Sequence, residues 1–546
     1  MTVPQEPLRI GVGLCAGLER PQGGLDPEAV ARLLERSDPG VQAEVMPDIC
    51  RKPEQVPDLA SRTGARRLVI ALCEGKPPVH EFQSWTRKAG LDPYAVELID
   101  LTRWIDGDGA SPKDEDDAIL VLKAAIARLR AFEGSEPEQL KLRFLDRGGA
   151  VSRRSLMTMP PWTYEAVPAI DQRSCLGKDR CGLCVPACPF EAIGAGVGIS
   201  VDKSQCEACG ICLTTCPADA VRWPGSSLAQ YEAELAALLA APRASIVFTC
   251  RRATAALDDD HDGGSPFPPG WLPVEVPCMG MVTPGWILQA LAGGAERVAL
   301  VGCGYGCGVN YKAVVNERVS YLRKLVGLLG MHQPPEQVRA LFTEPGQFPR
   351  PDELRQALDR LSSPQESERE NGAPDGLTLT EPVATAQAVL ALAERNGAAP
   401  DVSLAHSASP LGLVRVREET CTTCGSCAGA CPTGALSIET RDEAVTLSYD
   451  PQLCIGCDRC VPACPEQDKD TLGVESVTDL AALAEGRVTL KRGSIALCKR
   501  CGNPVAPAAM LDKIRSLLED ADQSKTLLET VTELCPDCRG VQTTGA

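Results

Sequence analysis

Residues Cys454–Glu466 read CIGCDRCVPACPE. Four cysteines stand in the pattern C-x-x-C-x-x-C-x-x-x-C, and a proline follows the fourth. Upstream, Cys421, Cys424, Cys427 and Cys431 with Pro432 repeat the pattern. A tight loop bearing three thiolates can wrap one face of a cubic cluster. The proline stops a helix from pulling the fourth thiolate away. Whether each run is a complete site, half of a larger one or a stapled loop turns on reading the pair together.

Present twice, this is the run of bacterial two-cluster ferredoxins, in which the fourth cysteine ligates the other cluster. The expected [4Fe–4S] ligand sets are Cys421, Cys424, Cys427 with Cys464, and Cys454, Cys457, Cys460 with Cys431. Ile455, Val461 and Leu436 are expected to keep water off the clusters. A second block shows the same plan with one departure. Cys206, Cys209, Cys212 and Cys216-Pro217 fit fully, whereas Cys175, Cys181, Cys184 and Cys188-Pro189 carry five residues between the first two cysteines. The extra residues, Lys178 and Arg180 among them, must bulge from the loop. Two further [4Fe–4S] clusters are expected, on Cys175, Cys181, Cys184, Cys216 and on Cys206, Cys209, Cys212, Cys188.

The composition agrees. There are 27 cysteines in 546 residues, and an odd total in C-x-x-C groups argues against a disulfide framework. With only four histidines, extensive metal chemistry must be thiolate chemistry. A net charge of −18 disfavours non-specific nucleic-acid binding, which needs clustered Lys and Arg. MTVPQEPLRI lacks a basic, apolar leader, and SRRSLM at Ser152–Met157 resembles a twin-arginine signal without the apolar stretch that should follow. No run is apolar enough to span a membrane. A cytoplasmic, metal-loaded protein of several domains is expected.

Outside the cysteine blocks the pattern is α/β. PLRIGVGLC, VQAEVMPDIC and RRLVIALC read as strands running into Cys15, Cys50 and Cys73; ASIVFTC, LPVEVPC and ERVALVGC run likewise into Cys250, Cys278 and Cys303. The spacings are similar enough to suggest two copies of one parallel-sheet unit. Asp26 and Pro27 mark a helix start, and Asp114–Glu133 reads as a helix. The expected organisation is an α/β domain over 1–133, a ferredoxin module over 165–226, a second α/β domain over 228–345, a polar linker at 362–376, a second ferredoxin module over 411–470 and a metal-binding tail over 490–546. Residues 134–170 read as an irregular linker.

IVFTCRR, VPCMGMV and GWILQALAGGAERVALVGCGYGCG resemble the delta subunit of methyl-viologen-reducing hydrogenase. That resemblance implies a [2Fe–2S] cluster on Cys250, Cys278, Cys303 and Cys307, and electron transfer from a hydrogenase or formate dehydrogenase to heterodisulfide reductase. Arg251, Arg252 and the segment GVNYKAVVNER depart from the family pattern. GVGLCAG, PDIC, VIALCEG and EFQSWTRKAGLDPY are similar to the N-terminal region of the heterodisulfide reductase A subunit, without its flavin domain. In this copy Pro77 stands where Cys307 would be, so Cys15, Cys50 and Cys73 lack a fourth partner. The site is either an empty copy, a site completed by Glu74, His80 or a partner protein, or a set of structural thiols. GVGLCA also fits a loose dinucleotide pattern, and GCGYGCG a phosphate loop, but cysteines inside both turns count against them.

Cys498, Cys501, Cys535 and Cys538 form two C-x-x-C pairs suited to tetrahedral zinc in a zinc-ribbon-like tail, with a rubredoxin-like iron as the rival. The expected function is an electron-transfer subunit joining a dehydrogenase or hydrogenase donor to a heterodisulfide reductase-like acceptor. The alternatives are a disulfide-type reductase acting at Cys15, Cys50 and Cys73, and a redox sensor.

Overall fold

The computed structural model describes residues 8–19, 25–74, 79–101, 112–135, 140–144, 162–241, 244–259, 266–303, 311–331, 337–342, 350–361, 376–441, 443–520 and 530–540. The chain forms two compact units, Met1–Cys175 with Leu183–Ala384, and Leu176–Gly182 with Thr385–Ala546.

The first unit holds two parallel four-stranded sheets with one topology. In the N-terminal sheet the order is Val41–Met46, Ile10–Cys15, Arg67–Leu72, Val96–Asp100. In the other it is Trp271–Val276, Ser245–Cys250, Val298–Gly302, Val338–Phe342. The central strands IGVGLC and SIVFTC are buried along their whole length, as strands covered on both faces must be. Helix Pro27–Ser37 begins where Asp26 accepts N–H bonds from Glu28 and Ala29 at 2.9 and 3.1 Å, with Pro27 in the first turn. Two strands stop short of their cysteines. Val41–Met46 and Trp271–Val276 end before Pro47 and Pro277, which cannot donate to a ladder, so Cys50 and Cys278 lie in the turns beyond.

Helix Pro112–Arg130 packs on helix Leu228–Leu239 and thereby ties the two sheets together. At this junction Arg128 is buried. It donates to Glu97 at 3.1 Å and to Glu234, bonds the Gly225 carbonyl, and lies 4.4 Å over the Tyr231 ring. The expected irregular linker over 134–170 needs correction, because Leu140–Phe144 pairs antiparallel with Trp162–Ala166. Both LKLRF and WTYEA alternate apolar and polar residues, the period of a strand. The SRRSLM stretch and residues 362–375 lie outside the described residues.

In the first ferredoxin block, short ladders join Ala169–Ile170 to Val221–Arg222 and Ile193–Ala195 to Ile199–Val201. In the second unit, Leu472–Asp479 pairs with Ser403–Ala405 and Gly412–Val416. Antiparallel strands Leu436–Arg441, Ala444–Tyr449, Val488–Leu497 and Pro504–Pro507 form a further sheet. The long strand Val488–Leu497 runs directly into Cys498. No helix among the described residues is long and apolar enough to cross a membrane.

Candidate metal and cluster sites

Each of the four cysteine loops reverses in the same way. The second residue after its first cysteine has positive φ: Gly177 at 73°, Ala208 at 49°, Thr423 at 50° and Gly456 at 62°. So does the residue after its second cysteine: Gly182 at 64°, Gly210 at 79°, Gly425 at 81° and Asp458 at 58°. Left-handed backbone on Ala, Thr and Asp is uncommon and persists where surroundings demand it. The Cys175 loop shares both features despite its insertion, which is taken up in the single turn Gly177–Arg180 with Lys178 and Arg180 exposed.

Backbone N–H groups in and just after these loops point at sulfur. The Ala208 N–H donates to Cys206 Sγ at 3.4 Å, and those of Ala192 and Ala220 donate to Cys188 and Cys216 at 3.3 Å. In the second module, Cys427, Cys454 and Cys460 sit in a core with Val414, Leu436, Leu447, Tyr449 and Leu472, and Val461 packs against it. Gly412 is required there, since a Cβ would meet the Gly456 backbone at 2.7 Å and Cys454 Sγ at 2.9 Å. Burial, with neighbouring thiolates adding to it, pushes Cys209 up to about 11 and Cys427 and Cys460 up to about 12. Crowded thiols with raised pKa ionise together when cationic metal compensates them. This donor set fits iron–sulfur clusters.

In the second sheet, Cys250 ends its strand and Cys303 follows Val298–Gly302. A bond with Cys303, opposed by burial and helped by the Ala253 N–H, lowers Cys250 to about 7. Cys278 caps the turn Met279–Met281, its sulfur accepting from the Gly280 N–H at 3.4 Å. Arg318, half-buried, fixes that turn by donating to the Gly280 and Val282 carbonyls at 2.8 and 2.7 Å. Cys307 lies outside the described residues. The same turn abuts the first ferredoxin block: a Cβ on Gly280 would meet Ile211 at 2.9 Å, and one on Gly210 would meet Met281 Sδ at 2.7 Å. Tyr311 stands at this seam, its phenol pushed up by burial and by Cys209, Cys278 and Cys188. Sequence patterns carry no signal for this contact.

In the first sheet Cys15, Cys50 and Cys73 meet. Their sulfurs are 3.1 Å (Cys15–Cys50), 3.2 Å (Cys50–Cys73) and 3.2 Å (Cys73–Cys15) apart, and all three are buried. Neither side chain considered as a fourth partner is aimed at them. Glu74 is bound by Arg51, whose Nε donates at 2.7 Å, and His80 lines a separate cavity with Asp100 and Arg128. Pro77 lies outside the described residues.

In the tail, Cys498, Cys501, Cys535 and Cys538 bring their sulfurs within 4.8 Å of one another. Cys498 and Cys535 are buried and Cys501 is exposed. Backbone N–H groups, that of Cys535 foremost, lower Cys498 to about 6, while Cys501 raises Cys538 to about 12.

Residues 246–358 match the family of the methyl-viologen-reducing hydrogenase delta subunit, and residues 420–467 match the 4Fe–4S dicluster domain. The chain is similar to the polyferredoxin protein MvhB of Methanothermus fervidus, 31% identical over 21% of this chain and 25% of that one. It is similar to the iron–sulfur A subunit of CoB–CoM heterodisulfide reductase from Methanocaldococcus jannaschii, 32% identical over 17% of this chain and 14% of that one. It is also similar to the iron–sulfur D subunit of F420-non-reducing hydrogenase from Archaeoglobus profundus, 43% identical over 13% of this chain and 53% of that one. The matches thus span between a seventh and about half of these relatives' lengths.

Proposed function

We propose that the chain is an iron–sulfur electron carrier between a hydrogenase- or dehydrogenase-type donor and a heterodisulfide reductase-like acceptor in the cytoplasm. The observation that carries this reading is the seam where the Cys209–Cys212 turn meets the Cys278 turn, backbone against side chain, with Tyr311 alongside. When bound, iron–sulfur clusters supply one-electron chemistry; the residues hold them, exclude water and set the order of contact.

The domain plan is that expected above, from the α/β domain 1–133 to the tail 490–546. Four [4Fe–4S] sites take Cys175, Cys181, Cys184, Cys216; Cys206, Cys209, Cys212, Cys188; Cys421, Cys424, Cys427, Cys464; and Cys454, Cys457, Cys460, Cys431. The matching backbone reversals support placing the Cys175 loop with the other three. A [2Fe–2S] site takes Cys250, Cys278, Cys303 and Cys307, at the carboxyl ends of parallel strands where open sheets place ligands. The tail holds zinc in a zinc-ribbon-like arrangement.

Flash reduction of the anaerobic full chain with a photoexcited low-potential dye tests this reading. Electrons should reach the Cys278 centre faster in the parent than in Cys209→Ser. Equal rates in the two chains would refute the relay across this seam.

A further inference from the structure

The N-terminal thiols differ in spacing from every cysteine set assigned to a cluster. Tetrahedral thiolates on one zinc ion, with Zn–S near 2.3 Å, stand about 3.8 Å apart. Sulfurs at 3.1 to 3.2 Å therefore need to spread by roughly 0.6 Å to take one ion. In a cubane each thiolate binds a different iron, so the sulfurs stand farther apart. The chain supplies its own control. Among the described residues, the sets of three or more ligand atoms mutually within 4.8 Å are Cys15, Cys50, Cys73 and the four tail cysteines. The cysteines of the matched dicluster segment form no such set.

We propose that Cys15, Cys50 and Cys73 bind a single zinc ion, a site separate from the iron–sulfur chain. Two strand ends and the turn after a third strand converge on it, and Gly17 covers it so closely that a Cβ would meet Cys73 Sγ at 2.6 Å. No fourth thiolate joins the set among the described residues, and Glu74 is engaged by Arg51. The fourth position falls to water or a small ligand.

The test is zinc and iron content per full chain, purified anaerobically with added Zn2+, for the parent and for Cys50→Ser. The expected result is a loss of one zinc with iron unchanged; retained iron also reports that the cluster-bearing domains still fold. Unchanged zinc would overturn the proposal, as would a loss of iron, which would mean a cluster. Should Cys50→Ser fail to fold, the Cys498→Ser/Cys535→Ser chain decides by zinc X-ray absorption. Its remaining zinc should show three sulfurs at about 2.3 Å and one lighter ligand. Absence of zinc from that chain, or four sulfurs around it, would overturn the proposal.

Discussion

The two parallel sheets of the first unit share strand order and carry cysteines at corresponding strand ends, yet their thiols stand differently. In the N-terminal sheet Cys15, Cys50 and Cys73 touch; in the other, Cys250 bonds Cys303 while the Cys278 sulfur caps its own turn at Gly280. Strand order decides where the thiols emerge, and the loop after the second strand decides whether they converge on one ion or spread. Arg318 holds the Cys278 turn by its carbonyls, and that turn meets Ile211. The Cys50 turn is instead joined to the third strand's loop through Arg51 and Glu74. One scaffold thus presents a buried site turned toward the first ferredoxin block and a buried site closed over by Gly17.

The largest expected effect separates the two directly. Cys278→Ser should remove about two iron atoms per chain and the [2Fe–2S] visible signature. Unchanged iron would erase the difference between the sheets. Next, Arg128→Met removes the buried cation between Glu97 and Glu234 and should cost about 3 kcal/mol, because it leaves two partly buried carboxylates without it. Chemical denaturation should show it as earlier loss of the helix junction joining the sheets. A midpoint equal to the parent's would show that the sheets are held by other contacts.

Glycine substitutions sharpen the contrast further. Gly17→Ala drives a methyl group into Cys73 and should cost about 1–3 kcal/mol in thermal unfolding of the zinc-loaded chain. Gly280→Ala meets the tip of Ile211 and the Tyr311 ring, which can yield, and should cost about 1 kcal/mol or less. The reverse ranking would contradict the tighter closure of the Cys15, Cys50, Cys73 site by Gly17.

The smallest effect is in protonation. Cys250 is lowered to about 7 by its bond with Cys303, so in chelator-treated protein its thiolate persists above that pH. The stability it contributes is complete above the ordinary thiol range and is lost as pH falls through about 7. Burial pushes Cys73 the opposite way, with Cys15 and Cys50 adding to it. In a Cys498→Ser background, which removes the other lowered thiol of the tail, thiolate ultraviolet absorbance should therefore show a step near pH 7 that Cys250→Ser abolishes and Cys73→Ser leaves in place. A step confined to the ordinary thiol range would contradict the Cys250–Cys303 bond.

Much of this is legible in the sequence. Buried apolar runs ending near Cys15, Cys73, Cys250 and Cys303 announce parallel strands, and Asp26-Pro27 announces a helix start, because burial and capping act locally. The ladder between LKLRF and WTYEA is not, although both segments alternate, since the residues separating them read as linker. Loop spacing does not show that the Cys175 loop reverses like its partners, because Gly177 owes its role to backbone conformation. The distances among Cys15, Cys50 and Cys73 are equally hidden. Strand-end spacing is alike in the two sheets, and what differs is how Pro47, Asp48 and Arg51 fold the turn around Cys50.

The central claim is that this chain carries electrons through cysteine-held centres that meet at the Ile211–Gly280 seam. An anaerobic redox titration of the full chain followed by electron paramagnetic resonance tests it most directly. The account predicts about 18 reducible-cluster iron atoms, with the Cys278 centre's signal broadened by a neighbouring centre and narrowed in Cys209→Ser. Iron that no low-potential reductant reduces, or a Cys278 signal indifferent to Cys209→Ser, would contradict it.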